Sequence, residues 1–207
     1  MYSANKISED VVQIIDGHIT ENSNIAYRFA EHLRVIPDEI AYIQGKRRVS
    51  WKESIERTYR ICHALQRLGI EKGDRVAMLS HNSIEYSEVM SATLLIGACM
   101  VPLSTMVTTE SMIKMLEDSS AKVLVASKDL AELVSPLIDE VETLVEGGNL
   151  TFDDDLPRWQ NLHRLTAIED AIAPDVEISG DDEFNIIYTS GTTGTPKGIP
   201  KGILHKH

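Results

Sequence analysis

The sequence predicts an α/β fold, a mainly parallel sheet with helices on both of its faces. Three observations predict it. Short apolar segments that read as buried strands alternate with segments whose apolar residues recur at helical spacing. The helical segments open on Ser, Thr or Asn, residues whose side chains cap the first free amides. The strand–helix order repeats from residue 75 to about residue 140, which calls for crossovers that bring each strand back parallel to the last. With 207 residues and 43% apolar side chains, the chain is long enough for one ordinary domain or two small lobes.

Residues 1–23 are polar, weakly patterned and expected to form an N-terminal extension. Asn24 is suited to cap a helix over residues 25–35, with Phe29, Ala30 and Leu33 inward, and Pro37 stops it. Residues 40–44 and 47–50 read as a hairpin turning at Gly45-Lys46. Ser50-Trp-Lys-Glu53 fits a capping box and opens a helix whose stripe is Ile55, Tyr59, Cys62 and Leu65, closed by Gly69. Residues 75–79 form a short buried strand. Asn82 or Ser83 then caps a helix running to about Gly97, with Glu85 and Glu88 near its positive end. Residues 99–103 are a second strand, and Thr108 or Thr109 caps a helix with Met112, Ile113, Met115 and Leu116 inward. Residues 122–126 are a third strand. A helix is expected over 129–140, where Pro136 threatens a kink, and a fourth strand over 141–145. Residues 146–183 read as a long surface excursion with one short helix near 165–172. Residues 184–188 are a strand that runs straight into a Gly/Thr-rich loop. No internal repeat of fixed period runs along the chain, and no low-complexity tract is present.

Charge and composition narrow the function. Twenty basic residues against 32 acidic ones give a formal charge of −12. That sign disfavours nucleic acid and anionic lipid, both of which need a basic surface. Only two cysteines occur, Cys62 and Cys99, far apart and in no C-x-x-C pair, which argues against a disulfide framework or a Cys-based zinc site. No basic segment followed by an apolar run opens the chain, and no stretch reaches the ~20 apolar residues of a membrane span. A soluble, cytoplasmic protein without a transmembrane segment is expected. His205 and His207 lack a third ligand nearby, and the runs 153–155 and 181–183 read as solvated carboxylates, so no metal ligand is assigned.

The chemistry concentrates in residues 188–198, Tyr188-Thr-Ser-Gly-Thr-Thr-Gly-Thr-Pro-Lys-Gly198. Physically this is an anion cradle. Gly191 and Gly194 let backbone amides turn toward one centre. Thr189, Ser190, Thr192, Thr193 and Thr195 add hydroxyl donors, Lys197 adds a positive charge, and Pro196 restrains the loop that carries it. Many donors with some charge suit a polyphosphate. Neither G-x-x-x-x-G-K-[ST] nor G-x-G-x-x-G occurs, so the P-loop and dinucleotide-binding fingerprints are not supported.

The segment resembles the signature loop of the adenylate-forming enzymes, a superfamily of acyl-CoA synthetases, aryl-CoA ligases, luciferases and peptide-synthetase adenylation domains. Their pattern T-S-G-[ST]-T-G-x-P-K-G is matched at every position from Thr189 to Gly198. Residues 24–30, 36–43, 49–53, 69–77 and 95–103 also resemble the start of such a synthetase. The resemblance therefore covers about residues 24–207, identified as a partial AMP-binding domain with its phosphate-binding loop at 188–198.

The resemblance implies the N-terminal part of an AMP-forming acid–CoA ligase. Such an enzyme activates a small-molecule carboxylic acid, fatty or aryl, with Mg2+ and ATP, and passes the acyl group to a thiol, usually coenzyme A. It further implies phosphate contact by Thr189, Ser190, Gly191, Thr192, Thr193, Gly194, Thr195 and Lys197, with Lys197 as the catalytic charge. Pro196-Lys-Gly-Ile199 is followed by Pro200-Lys-Gly-Ile203, which resembles a four-residue duplication and leaves Lys197 and Lys201 as alternatives. Spacing from Gly194 favours Lys197. The acyl pocket, the adenine and ribose contacts and the C-terminal domain with its late lysine are expected beyond His207, so the isolated chain is expected to be inactive. The alternatives are a non-catalytic nucleotide- or phosphate-binding fragment and a truncated, inactive gene product.

Overall fold

A computed structural model describes residues 25–152, 155–179, 181–189 and 197–202. Helix α1 (Ile25–Val35) leads to the hairpin of β1 (Ile40–Gln44) and β2 (Arg47–Ser50), with Gly45 at φ 60° in the turn. The N-terminal extension and the Asn24 cap lie outside the described residues. Helix α2 (Trp51–Arg67) opens on the expected capping box: the Ser50 hydroxyl accepts from the Glu53 amide at 3.3 Å, and the Glu53 carboxylate accepts from the Ser50 amide at 2.8 Å.

From there the chain alternates as expected: β3 (Arg75–Leu79), α3 (Ile84–Leu95), β4 (Cys99–Pro102), α4 (Thr109–Asp118), β5 (Ala121–Ala126) and α5 (Lys128–Val134). Of the alternative caps, Ser83 serves α3 and Thr108 serves α4, each accepting from a backbone amide in the first turn. The main sheet runs β7-β6-β5-β3-β4-β8-β9, completed by β6 (Asn149–Thr151), β7 (Gln160–Asn161), β8 (Glu183–Thr189) and β9 (Lys197–Gly202). Every pair in it is parallel except β8 with β9.

Alternate residues of the central strands feed two cores. Val76, Met78, Met100, Val123 and Val125 pack under α2 and α3 on one face, with α1 against the same cluster. Ala77, Leu79, Val101, Leu124 and Ala126 pack under α4 and α5 on the other. Strands buried on both faces read as unbroken apolar runs, and that is why residues 75–79 and 122–126 were legible.

Several expectations are corrected. Residues 141–145 are not a strand: they turn alongside β5, where the Val145 amide donates to Lys122 O at 2.9 Å and the Thr143 hydroxyl to Ala121 O at 2.8 Å. The chain comes so close that a Cβ on Gly148 would sit 2.7 Å from Lys122 O, and the strand beside β5 starts only at Asn149. Residues 146–183 are not a mere excursion, because they contribute β6 and β7 to the sheet. Those strands are too short to show a period. The short helix is α6 (Leu162–Thr166), earlier than expected, because the Asn161 side chain caps it at the Arg164 amide. The expected helix over 129–140 is split into α5 and a 3₁₀ turn at Ile138–Glu140. Pro136, which has no amide hydrogen and whose ring crowds a preceding carbonyl, accounts for the break.

One ion pair ties two helices of the first face together. Arg57 of α2 grips Glu88 of α3 through Nη2–Oε1 at 2.6 Å and Nε–Oε2 at 3.0 Å, and the Glu88 side chain is only 3% exposed. Arg57→Ala should therefore cost about 3 kcal/mol in urea unfolding, because a buried carboxylate loses its partner. The double replacement of Arg57→Met with Glu88→Leu, which removes both charges and keeps apolar volume, should recover most of that loss.

Candidate functional site

Strand β8 positions the loop that carries the sequence signature. It lies parallel to β4, so its carboxyl end opens on the same edge of the sheet as those of β3, β4 and β5. Its one register pair with β4 is Met100↔Asn185. Beyond that point Ile186 enters the second core, and Tyr188 packs against the same cluster. The sequence repeat after the loop is the return strand β9, antiparallel to β8. Pro200 is accommodated because β9 is the last strand of the sheet among the described residues, where a missing amide breaks no further ladder.

Thr189 and Lys197 are backbone partners at the mouth of the loop. Thr189 is exposed, and Lys197 is described through its backbone alone. Ser190, Gly191, Thr192, Thr193, Gly194 and Thr195 lie outside the described residues, as do His205 and His207. Lys201 is opposite Asn185. At strand spacing this puts its backbone about 13 Å from that of Lys197, down the hairpin and away from the mouth.

Two contacts near the mouth were not legible in the sequence. The Tyr188 hydroxyl donates to Asp118 Oδ2 at 2.7 Å and to Met115 O at 3.2 Å, both in the last turn of α4. Burial, with the Asp118 hydrogen bond and charge added, pushes the phenol above its ordinary pKa. Across the hairpin, a Cβ on Gly198 would meet Ile186 Cγ2 at 2.9 Å and Tyr188 Cζ at 3.1 Å. No sequence pattern links Tyr188 to Asp118, 70 positions earlier.

Several charged groups pair away from the loop mouth. Asp182 pairs with Lys72 at 2.8 Å and Glu183 with Arg75 at 3.1 Å, which ties the start of β8 to the start of β3. Asp153 and Asp154 lie outside the described residues, and Asp155 pairs with Arg164. Among the described residues no group of three or more His, Cys, Asp or Glu side chains gathers to hold a metal. None of the described helices is long and apolar enough to cross a membrane. His81 meets Asp129 at 3.2 Å where the carboxyl ends of β3 and β5 adjoin, both side chains largely in solvent. A cleft of about 410 Å³ lies between α2, α3 and α6, but its lining includes no residue of β8 or β9. Within it Arg57 holds Glu88; Glu85 is held by Arg47 from outside the lining, and Arg60 also lines the cleft.

This arrangement is a glycine- and threonine-rich loop on a hairpin at the carboxyl edge of a parallel sheet. Residues 29–203 match the profile of the family described as "AMP-binding enzyme". The chain belongs to that family. It corresponds to the N-terminal portion of adenylate-forming enzymes. It is similar to the long-chain-fatty-acid–CoA ligase FadD13 of Mycobacterium tuberculosis, 32% identical over 189 residues that are 89% of this chain and 35% of the relative. It is also similar to a feruloyl-CoA synthase of an Amycolatopsis species, 32% identical over 165 residues, 80% of this chain and 30% of the relative. Among solved structures, the N-terminal domain of FACL13 from Mycobacterium tuberculosis, determined with an inhibitor, superposes with a TM-score of 0.75 at 29% identity. The match covers 87% of this chain and 44% of that one. The chain thus spans about a third of the length of the curated relatives it matches.

Neither cysteine of the chain is placed as a nucleophile. Both are buried, and burial raises both thiols, Cys99 to about 11. A thiol held protonated and out of solvent does not attack. Ellman's reagent should titrate neither cysteine in the folded chain within minutes and both in urea; rapid native reaction of either would contradict this burial.

Proposed function

We propose that the chain is the N-terminal part of an AMP-forming acid–CoA ligase acting on a fatty or aryl carboxylic acid. The observation that carries this reading is the ten-residue match from Thr189 to Gly198, on a hairpin whose legs meet at Thr189 and Lys197. Kinship with a long-chain-fatty-acid–CoA ligase and a feruloyl-CoA synthase supports the substrate class. In this reading residues 1–23 form an extension, residues 24–207 a partial AMP-binding domain, and the reaction is cytoplasmic.

The chemistry follows in two steps. A carboxylate oxygen of the acid bonds to the α-phosphorus of ATP, and the bond to pyrophosphate breaks. The sulfur of coenzyme A then bonds to the acyl carbon, and AMP leaves. The loop serves the first step. Amides at Gly191 and Gly194 and the hydroxyls of Thr189, Ser190, Thr192, Thr193 and Thr195 hold the β- and γ-phosphates. Lys197 offsets the charge that grows on the departing pyrophosphate. Donors fixed where charge develops are the main source of catalysis in such a site. Mg2+ enters this reading as part of the ATP complex, bound through the phosphates that the loop holds.

ATP–pyrophosphate exchange with a panel of fatty and aryl acids tests the reading. It is run on the 207-residue chain and on the product of its gene read through to the stop codon. Acid-dependent exchange by the read-through product, falling at least ~100-fold in Lys197→Ala, is the expected result. Exchange unchanged in Lys197→Ala removes that lysine from the mechanism. Binding of ATP with no exchange for any acid leaves a phosphate-binding module.

A further inference from the structure

We infer that Tyr188 is a positioning residue for the phosphate loop, its ring setting the two legs of the hairpin and its hydroxyl fixing them to the end of α4. The inference rests on the phosphate-loop reading for its consequence, but not for its geometry.

The loop mouth lies beyond the registered pairing of β8 with β4. On the β4 side, β8 is registered only at Met100↔Asn185. Thr189 is four residues further on, about 13 Å along the strand. On the other side β9 is the sheet edge among the described residues, and Pro200 has no amide to give. Ladder bonds between β8 and β9 hold the legs to each other, but they do not hold the pair to the rest of the molecule.

Ile186 in the second core and the Glu183–Arg75 pair hold the lower part of β8, and Tyr188 supplies the link next to the mouth. It is paired with Gly198 one step below the Thr189–Lys197 mouth. Its ring occupies the space a side chain at 198 would need, with Cζ 3.1 Å and Cε1 3.3 Å from the place of a Cβ. A glycine there is what lets the ring lie against the opposite leg. The hydroxyl then reaches Asp118 Oδ2 and Met115 O, in a helix fastened to the second core by Met112, Met115 and Leu116. Ring and hydroxyl do separable things. A phenylalanine fills the same core volume, so packing does not require the oxygen. The oxygen makes a charge-assisted bond, short and directional, that restrains rotation of the hairpin against α4. A cradle of amides and hydroxyls works only if its donors converge to within about 0.5 Å of their places.

The test compares the wild-type 207-residue chain with Tyr188→Phe, Asp118→Ala, Asp118→Asn and the Tyr188→Phe/Asp118→Ala double variant. Three readouts are taken: calorimetric titration with Mg·ATP, thermal unfolding, and amide hydrogen exchange of peptides spanning residues 183–202. Tyr188→Phe and Asp118→Ala are each expected to weaken Mg·ATP about 10-fold. The double variant should lose no more than either alone. Asp118→Asn, whose amide oxygen still accepts but without the charge, should bind more tightly than Asp118→Ala and no better than wild type. The unfolding midpoint should move by less than about 2 °C, and exchange should rise only across residues 189–197. Wild-type binding and wild-type exchange in Tyr188→Phe overturn the proposal. So does a variant that melts many degrees lower and loses protection throughout the sheet, since that marks general packing. If the wild-type chain takes no Mg·ATP, the phosphate reading fails by itself. Exchange across 189–197 then decides alone: faster in Tyr188→Phe upholds the anchor, and unchanged exchange overturns it.

Discussion

The two-sided burial of β3, β4 and β5 is the constraint from which the rest of the structure follows. These strands present apolar residues to both faces, so both faces need helices. Helices on both faces of adjacent strands force crossovers, and crossovers make the strands parallel. Parallel strands deliver every strand-to-helix connection to the same edge. The loop after β8 opens on that edge for this reason.

The sequence announced what is local and repetitive. The capping box at Ser50 and Glu53, the helical stripe of α2 and the apolar runs of β3 and β5 each state their element within a few residues. It was silent where structure depends on distant partners. Strands β6 and β7 have three and two residues, too few to show a period, and exist because β5 has an open edge beside them. Residues 141–145 look like a strand by composition, yet two glycines move the turn next to β5 and defer pairing to Asn149.

The candidate site divides the same way. The candidate donors of the loop stand out in the sequence because a phosphate cradle calls for small, hydroxylated and cationic residues in close order, while residues 190–196 lie outside the described structure. The register that puts Lys197 at the mouth and Lys201 down the strand needed the hairpin. Asp118 carried no signal, since its relevance depends on α4 ending beside Tyr188. The acidic balance of the chain gives the site a further property. With a formal charge of −12, the protein as a whole repels polyphosphate, so the proposed cradle has to attract it locally and with a dependence on salt.

The central claim is that residues 189–198 form the polyphosphate cradle of this domain. A two-dimensional ¹H–¹⁵N titration of the chain with magnesium pyrophosphate tests it most directly, because pyrophosphate carries the phosphates without adenine or acid. The account predicts saturable shifts concentrated in the amides of residues 189–198, with those lining the cleft between α2, α3 and α6 unmoved. Shifts centred on that cleft, or none at the loop while pyrophosphate binds, would contradict it.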